Sequence, residues 1–355
     1  MAVTDHFVAL TECHLLNEAT LGEVAYFPGF QRWWQSVDAV MRVWAGRNLA
    51  AGGDMPRPRA SELIKYMDEA GVDVAFVLRE PAMNISGYVA PLSTNAFIMQ
   101  EIAPYPERMY LECNVGPILR RGVRHAIWEL EHLVKHCNAK LCKVYAPEDD
   151  GPLNDPRLWP FYEKCCELDI AVTVHTGTAY VLPHPDRHTR PILLDDVLLD
   201  FPQLEVIAYH MGWPYTEELI GLAGKHANLH LSLSGIVGWF ARAPHRGYHV
   251  LGESLQWAGP DKIVMGLDMP FDETRRIVDF VRNLQMPEEL QEKWGYPAIT
   301  DEIRAKILGL NLARLAKIKP TKRVRSGAAK PAAGGRSPGP VRRSSSRRGR
   351  AGRAG

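Results

Sequence analysis

Eight short apolar runs, each bounded by Gly, Pro or Asn, constrain the fold more than any other feature of the chain. Runs that are apolar almost throughout are typical of strands covered on both faces. They are FVAL (7–10), VDVAFVL (72–78), MYLECNVG (109–116), AKLCKVYAP (139–147), IAVTVHTG (170–177), EVIAYHMG (205–212), LHLSLSG (229–235) and KIVMGLDMPF (262–271). Amphipathic segments such as 59–71, 121–137 and 214–227 lie between them. This alternation predicts an α/β fold, a (β/α)₈ TIM barrel. A doubly wound open sheet is the alternative, but no G-x-G-x-x-G follows the first run.

The predicted barrel occupies residues 1–319, with 300–318 as its closing helix. The chain of 355 residues is 46% apolar, enough for one large core. Residues 15–58 are too long for a simple connection between a strand and a helix. This segment carries Trp33, Trp34 and Trp44. It is therefore predicted to be an insertion that covers the barrel mouth.

The net charge of +1 conceals two different parts of the chain. Residues 320–355 contain eleven Lys or Arg and no Asp or Glu, which leaves 31 basic against 41 acidic residues in 1–319. The terminal segment is of low complexity and almost free of large apolar side chains, so it is predicted to be disordered. Its basic charge would attract nucleic acid or another polyanion. Because the body is acidic and shows no nucleic-acid recognition motif, such binding is expected to be secondary at most.

The remaining composition predicts a cytoplasmic protein. The six cysteines form no C-x-x-C pair and lie mostly in apolar runs, which is typical of reduced intracellular proteins. The first residues do not have the basic and apolar regions of a signal peptide. No apolar run approaches the roughly 20 residues of a membrane helix, so no membrane association is expected.

Ligand-type side chains stand at the ends of four predicted strands. The first ends at Glu12 and His14, the fifth at His175, the sixth at His210 and the eighth at Asp268. Active sites of such barrels lie at the C-terminal ends of the strands. The i, i+2 spacing of Glu12 and His14 places both on one face of a strand. Imidazoles and carboxylates with one open position suit a catalytic zinc or similar divalent ion.

Each of these residues also has an ordinary structural interpretation. His175 could be a hydrogen-bonded core histidine, Asp268 a helix cap, His210 a turn residue and Glu12 an exposed residue at a strand end. Their joint placement at four strand ends favours the metal site, since chance would scatter these residue types through the loops.

The sequence resembles the amidohydrolase superfamily, in the branch that contains aminocarboxymuconate-semialdehyde decarboxylase. The motifs VTVHTG, FPQLEVIAYHMGWP and DKIVMGLDMPF carry the resemblance, which runs from about Arg59 to Lys317. It implies a barrel of the metal-dependent hydrolase type. It also implies that His175 and Asp268 are metal ligands and that His210 is a nearby acid/base or polarising residue.

The first strand identifies a subset of that branch. Most members carry H-x-H there, whereas a subset similar to γ-resorcylate and dihydroxybenzoate decarboxylases carries E-x-H. The segment VALTECHLLNEATL resembles the second form, which makes Glu12 and His14 ligands. Two positions depart from the decarboxylases: Thr176 replaces the proline after the strand-5 histidine, and Trp213 replaces the glutamate after His-Met-Gly. These departures resemble hydrolase-type members.

Four further residues are candidates for contact with substrate. Arg79 and Arg190 could bind a carboxylate as bidentate donors, or serve the structure alone. Lys143 could contact a substrate anion, bridge a second metal after modification, or extend its charge to the surface. Trp213 is grouped with them because of its place beside His210.

The predicted function is that of a metal-dependent enzyme with one divalent ion, zinc in the first place and manganese as an alternative. The first expectation is a non-oxidative decarboxylase of an aromatic or related unsaturated carboxylic acid, with Asp268 as proton donor. A hydrolase of an ester, lactone, amide or activated carbonyl is the alternative, in which Asp268 accepts a proton from water and His210 stabilises the oxyanion. The expected partners are a small-molecule carboxylate and, by analogy, a second copy in a homodimer.

Overall fold

Eight parallel β-strands form one sheet in which each strand pairs with the next along the chain. They are β1 (Ala9–Leu15), β2 (Val74–Arg79), β3 (Met109–Asn114), β4 (Leu141–Val144), β5 (Ala171–Val174), β6 (Val206–Ala208), β7 (Leu229–Ser232) and β8 (Ile263–Val264). A parallel bridge joins Thr11 to Gly266, and the Leu267 N–H donates to the Thr11 carbonyl at 2.9 Å. The first and last strands are therefore neighbours, which confirms the TIM barrel over the open sheet.

The computed structural model describes residues 5–17, 28–46, 59–79, 82–85, 88–91, 93–149, 151–179, 185–268 and 271–324. Its helices surround the barrel. The α-helices are Pro28–Trp44, Ala60–Ala70, Asn95–Ile102, Ile118–Arg121, Val123–Cys137, Ala146–Asp149, Trp159–Glu167, Leu193–Asp200, Thr216–Lys225, Ile236–Phe240, Pro244–Trp257, Thr274–Arg282, Glu288–Trp294, Asp301–Ala305 and Asn311–Leu315. A short π-helix, Lys306–Leu310, lies within the closing helix, and a short hairpin pairs Ala82–Ile85 with Tyr88–Pro91. Among the described helices, none is long and apolar enough to cross a membrane.

The amphipathic segments form helices because their apolar residues recur every three or four positions. The helix Ala60–Ala70 buries Ala60, Leu63, Met67 and Ala70 and ends at Gly71, whose φ of 68° is left-handed. Glycine adopts this conformation without a steric cost, so it ends the helix at that point. The strands are buried as well: every residue of β2 and β5 is buried, as expected of parallel strands covered on both faces.

The predicted insertion 15–58 is described in part, at 15–17 and 28–46. Its helix Pro28–Trp44 ends beside the C-terminal face of the barrel, where the centroid of the Trp44 ring lies 5.9 Å from that of His210. Arg242 Nε donates to the Trp44 carbonyl at 3.2 Å and attaches the helix end to the barrel. The side chains of Trp33 and Trp34 lie outside the described residues, so covering of the mouth by the whole segment stays a prediction.

The first residues of the terminal segment contact the barrel. Lys322 Nζ lies 3.0 Å from Asp73 Oδ2, and the Val324 N–H donates to Asp73 Oδ1 at 2.8 Å. Asp73 is fully buried at the N-terminal end of β2, and a buried carboxylate requires such donors. Residues 322–324 are therefore held against the barrel, at the end opposite the candidate site. Residues 325–355 lie outside the described residues.

Candidate metal centre

Glu12 occupies an irregular position near the end of β1. The pairing of β1 with β2 shifts register between Leu10 and Cys13, and Glu12 has a φ of 54°. A non-glycine residue in the left-handed region is uncommon, and here its N–H lies 3.3 Å from Glu112 Oε2. The Glu12 side chain is buried, and its Oε1 lies 3.8 Å from Nε2 of His14. The irregularity thus turns the Glu12 carboxylate into the barrel interior beside the His14 ring.

Asp268 reaches the same place from β8. Its N–H donates to the Glu12 carbonyl at 2.9 Å, so barrel closure itself brings the two residues together. Asp268 Oδ1 lies 3.5 Å from His14 Nε2. Glu12, His14 and Asp268 each offer one ligand atom, and these atoms all lie within 4.8 Å of one another. The structure therefore brings together three of the four predicted metal ligands.

The wall beside this group is closely packed around Gly235. Gly235 has a φ of 67°, and a Cβ at that position would approach Asp268 Oδ2 to 3.1 Å and collide with the Trp44 ring. Only glycine therefore fits between Trp44 and Asp268. Two carboxylates and an imidazole around this space fit a divalent ion with mixed oxygen and nitrogen ligands.

Lys143 and Ser234 hold the two oxygens of the Glu12 carboxylate. Lys143 Nζ contacts Oε1, and Ser234 Oγ donates to Oε2. Burial alone would raise the pKa of Glu12, but Lys143, His210 and His14 together lower it well below its usual value. Glu12 is therefore ionised at neutral pH. Lys143 is 1% exposed, which excludes the surface alternative for this residue.

A layer of buried polar groups lies beneath Glu12, and its residues are not among those predicted from the sequence. Glu112 on β3 accepts hydrogen bonds from the Tyr209 hydroxyl at 2.6 Å, from Thr173 Oγ1 at 2.6 Å and from Thr11 Oγ1 at 2.8 Å. The sequence signal that could have indicated this layer is Glu112, a charged residue in the apolar run MYLECNVG, since a buried carboxylate must be hydrogen-bonded. Ser234 was missed as well, because a serine at a strand end carries no distinctive pattern.

His175 and His210 contact each other. His210 Nε2 lies 3.0 Å from His175 Nδ1, His210 Nδ1 lies 3.1 Å from the Ser234 carbonyl, and His175 Nε2 lies 3.2 Å from the Thr178 carbonyl. Carbonyl oxygens only accept, so these three bonds require three ring protons, one more than two neutral imidazoles carry. Burial lowers the pKa of both rings, and the positive charge of Lys143 lowers each further. The neutral pair therefore completes two of the three bonds at a time.

His175 consequently lies outside the group formed by Glu12, His14 and Asp268. Both of its ring nitrogens face other partners, His210 and the Thr178 carbonyl. His210 lies closer to the group, with Nε2 3.7 Å from Glu12 Oε1 and Nδ1 3.8 Å from Asp268 Oδ2. His210 has a φ of 61°, which places its ring between the carboxylates and His175.

The guanidinium of Arg79 is buried among protein acceptors. Its Nη2 donates to Glu148 Oε1 at 2.9 Å and to the Gly116 carbonyl at 2.8 Å, and its Nε donates to the Asn114 carbonyl at 3.1 Å. Arg79 and Glu148 are both almost fully buried. These contacts favour the structural alternative for Arg79 over a role in substrate binding.

Arg190 and Trp213 are likewise bound to neighbouring residues. Arg190 pairs with Glu218 and lies over the Tyr215 ring at 4.7 Å, in an exposed position. Trp213 packs edge-to-face against Trp239, with 4.8 Å between the ring centroids. These contacts place the Arg190 charge on the surface. Trp213 joins the segment that follows β6 to the helix Ile236–Phe240 that follows β7.

Comparison with known proteins gives one family and a set of similar folds. The sequence model of a family described as amidohydrolase matches residues 93–316, more than half of the chain. No curated protein sequence matches the chain significantly. An uncharacterised TIM-barrel protein from Bordetella bronchiseptica has a similar structure, with a TM-score of 0.61 and 19% sequence identity over 87% of this chain and 98% of the other.

Two decarboxylases have similar folds. The 5-carboxyvanillate decarboxylase of Sphingomonas paucimobilis gives a TM-score of 0.59 at 17% identity, over 88% of this chain and 99% of that enzyme. A dihydroxybenzoic acid decarboxylase from Polaromonas, solved with manganese and 2-nitroresorcinol, gives 0.57 at 18% identity, over 88% and 97%. At sequence identities this low, the structural similarity demonstrates a common fold alone.

Proposed function

Because this chain belongs to the amidohydrolase family, we propose that it is a metal-dependent, non-oxidative decarboxylase of an aromatic carboxylic acid. Membership confirms the family predicted from the motifs around His175, His210 and Asp268 and identifies the chain as a metal-dependent enzyme. The observation that carries the proposed reaction is the convergence of Glu12, His14 and Asp268 on one space. The fold shared with two aromatic acid decarboxylases supports it.

In this proposal Glu12, His14 and Asp268 hold one divalent ion, and His175 is the fourth candidate ligand. Binding through His175 would require one of its contacts, with His210 or with the Thr178 carbonyl, to open. Oxygen-rich ligand sets suit manganese as well as zinc. The Polaromonas decarboxylase contains manganese, which makes manganese the first ion to test and zinc the second.

Glu12, His14 and Asp268 would hold the ion, which when bound would supply a template and a Lewis acid for the substrate carboxylate. Asp268 would donate a proton to the ring carbon that bears the carboxylate. The bond from that carbon to the carboxylate then breaks, carbon dioxide leaves, and the bond electrons restore the aromatic ring. Asp268 Oδ2 lies 3.8 Å from His210 Nδ1, which places the His210 ring beside the carboxyl group that would carry the proton. Trp44 lies beside His210 and would offer an apolar surface to the aromatic ring of the substrate.

A hydrolase that uses the same three ligands is the second candidate. Trp213 supports it, since this residue stands where the related decarboxylases carry a glutamate after His-Met-Gly and packs against Trp239 instead. Asp268 would then accept a proton from the attacking water, and His210 would stabilise the oxyanion. The homodimer, the cytoplasmic location and the secondary binding of polyanions stay predictions from the sequence.

The experiment that tests the proposal is a direct assay of carbon dioxide release. Protein loaded with manganese, or separately with zinc, is incubated with 2,6-dihydroxybenzoate and with 5-carboxyvanillate. We expect release from at least one acid, loss of release after treatment with a chelator, and recovery when the metal is returned. Ester or lactone cleavage by the loaded protein, with no carbon dioxide released from a panel of hydroxybenzoates, would replace the decarboxylase with the hydrolase.

A further inference from the structure

The surroundings of Lys143 suggest a role that differs from contact with substrate. Its Nζ contacts Glu12 Oε1 and lies 3.8 Å from the centroid of the Tyr209 ring. The Tyr209 ring is fully buried, and its hydroxyl bonds to Glu112 and Thr11 beneath the site. The ammonium group therefore lies between the Glu12 carboxylate and the floor of the barrel. Glu12 thus separates it from the side on which a substrate would approach.

Oε1 of Glu12 is the atom that the ammonium of Lys143 and two imidazole nitrogens surround. Lys143 Nζ contacts it, while His14 Nε2 and His210 Nε2 lie 3.8 and 3.7 Å away. A metal ion held by Glu12, His14 and Asp268 would bind on the His14 side of the same carboxylate. The ion and the ammonium would then neutralise one buried charge from two sides. Two cations this close repel each other strongly, because a buried site screens charge far less than water does.

Two further contacts hold Glu12 besides the ammonium. Ser234 Oγ donates to its other oxygen, Oε2, and Ser234 is fully buried. The backbone is held independently by the bond from Asp268 N–H to the Glu12 carbonyl. Loss of the Lys143 charge therefore removes a counter-ion and leaves two of the contacts that align the ligand.

We propose that Lys143 is the internal counter-ion of the buried Glu12 carboxylate before the metal binds, and that its charge weakens metal binding. Lys143 is thus a positioning residue for the ion, and the affinity of the site is set by competition between the ammonium and the metal. This inference rests on the proposed metal site and concerns the affinity of that site for its ion.

The test is the dissociation constant of manganese, and separately of zinc, measured by competition with a chromogenic chelator. Lys143→Met removes the charge and keeps most of the volume, and we expect it to bind metal at least about tenfold more tightly than the wild type. Lys143→Arg keeps the charge and should stay within about threefold of the wild type. Equal or weaker binding by Lys143→Met would overturn the proposal.

Lys262→Met is the matched control. Lys262 precedes β8 at the opposite end of the barrel and donates to the carbonyls of His226 and Leu229. The same chemical change there should leave the affinity for metal unchanged. Since removal of one partner from a buried ion pair is strongly destabilising, Lys143→Met could fail to fold without metal. Lys143→Gln, which is neutral but still donates a hydrogen bond to Glu12, then replaces it with the same expected tightening.

Thermal unfolding supplies a second readout. In Lys143→Met or Lys143→Gln the metal-free protein should melt at a lower temperature than the wild type, and metal should raise its Tm by a larger amount. A rise in Tm equal to that of the wild type would contradict competition between the two cations.

Glu12→Gln separates this inference from the proposed site. If the wild type binds metal and Glu12→Gln does not, Glu12 is supported as a ligand. An unchanged metal affinity in Lys143→Met would then overturn the counter-ion role alone. Equal binding by the wild type and Glu12→Gln would overturn the metal site itself.

Discussion

The two sides of the candidate site use similar side chains in different ways. On the side of β1 and β8, Glu12, His14 and Asp268 direct their ligand atoms toward one space. On the side of β5 and β6, His175 and His210 bond to each other and to backbone carbonyls. Both sides stand at the C-terminal ends of barrel strands and both are largely buried.

The difference comes from what neutralises each group. Carboxylates concentrate negative charge, so Glu12 requires cations around it, and Lys143 supplies one. Buried neutral imidazoles need only hydrogen-bond partners, and these two rings complete two of the three bonds that the other ring and the carbonyls of Ser234 and Thr178 offer. The β1–β8 side is therefore suited to hold an ion. The β5–β6 side is suited to orient and transfer protons beside it.

The largest effect is expected for Asp268→Asn. The substitution keeps the shape of the side chain but removes both a metal ligand and the proposed proton donor. Turnover should fall by about 10²–10⁴-fold, the usual contribution of a general acid, and bound metal per chain should fall with it. Plasma mass spectrometry and the carbon dioxide assay measure the two effects. Asp261→Asn, at the other end of β8, is the control, and retained metal and turnover in Asp268→Asn would remove Asp268 from the site.

A smaller loss is expected for His175→Asn. Since His175 must break a hydrogen bond to reach the ion, its net contribution is reduced, and metal affinity should fall by about 10–100-fold. Competition with a chelator measures the metal affinity. The control is His230→Asn, since His230 is a buried histidine that pairs with Glu205. A loss in His175→Asn as complete as that in Asp268→Asn would make His175 a full ligand and break the division between the two sides.

The barrel and the strand ends could be predicted from the sequence because both follow from local patterns. Eight apolar runs, alternating with amphipathic helices, are sufficient to indicate parallel strands covered on both faces. The active-site end of such a barrel then follows from chain direction, which is how Glu12, His14, His175, His210 and Asp268 were found.

The partners of those residues could not be predicted, because they depend on register and on contacts between distant strands. The irregularity at Glu12 and its contact with Lys143, 131 positions away, leave no local signal. The same holds for Arg79. Arginine at a strand end suggests an anion site, whereas the fold places Glu148 against it. Such pairings are decided by tertiary packing.

The smallest effect should appear in the acid stability of the metal-free protein. The folded pKa values of His175 and His210 are lowered, chiefly by burial, so below about pH 6.5 the unfolded chain binds protons that the folded chain excludes. The free energy of unfolding should therefore fall between pH 7 and 5, by at most about 1.4 kcal/mol per pH unit for each ring. The pKa of Glu12 is also lowered, against the effect of burial and mainly by Lys143, so its contribution to the free energy of unfolding is lost only below about pH 4.5.

Urea unfolding in the presence of a chelator, at pH 7, 6 and 5, tests this expectation. The free energy of unfolding should decline less steeply in His175→Asn than in the wild type or in the exposed control His245→Asn. An equal decline in all three proteins would mean that the β5–β6 side carries no acid-sensitive pair.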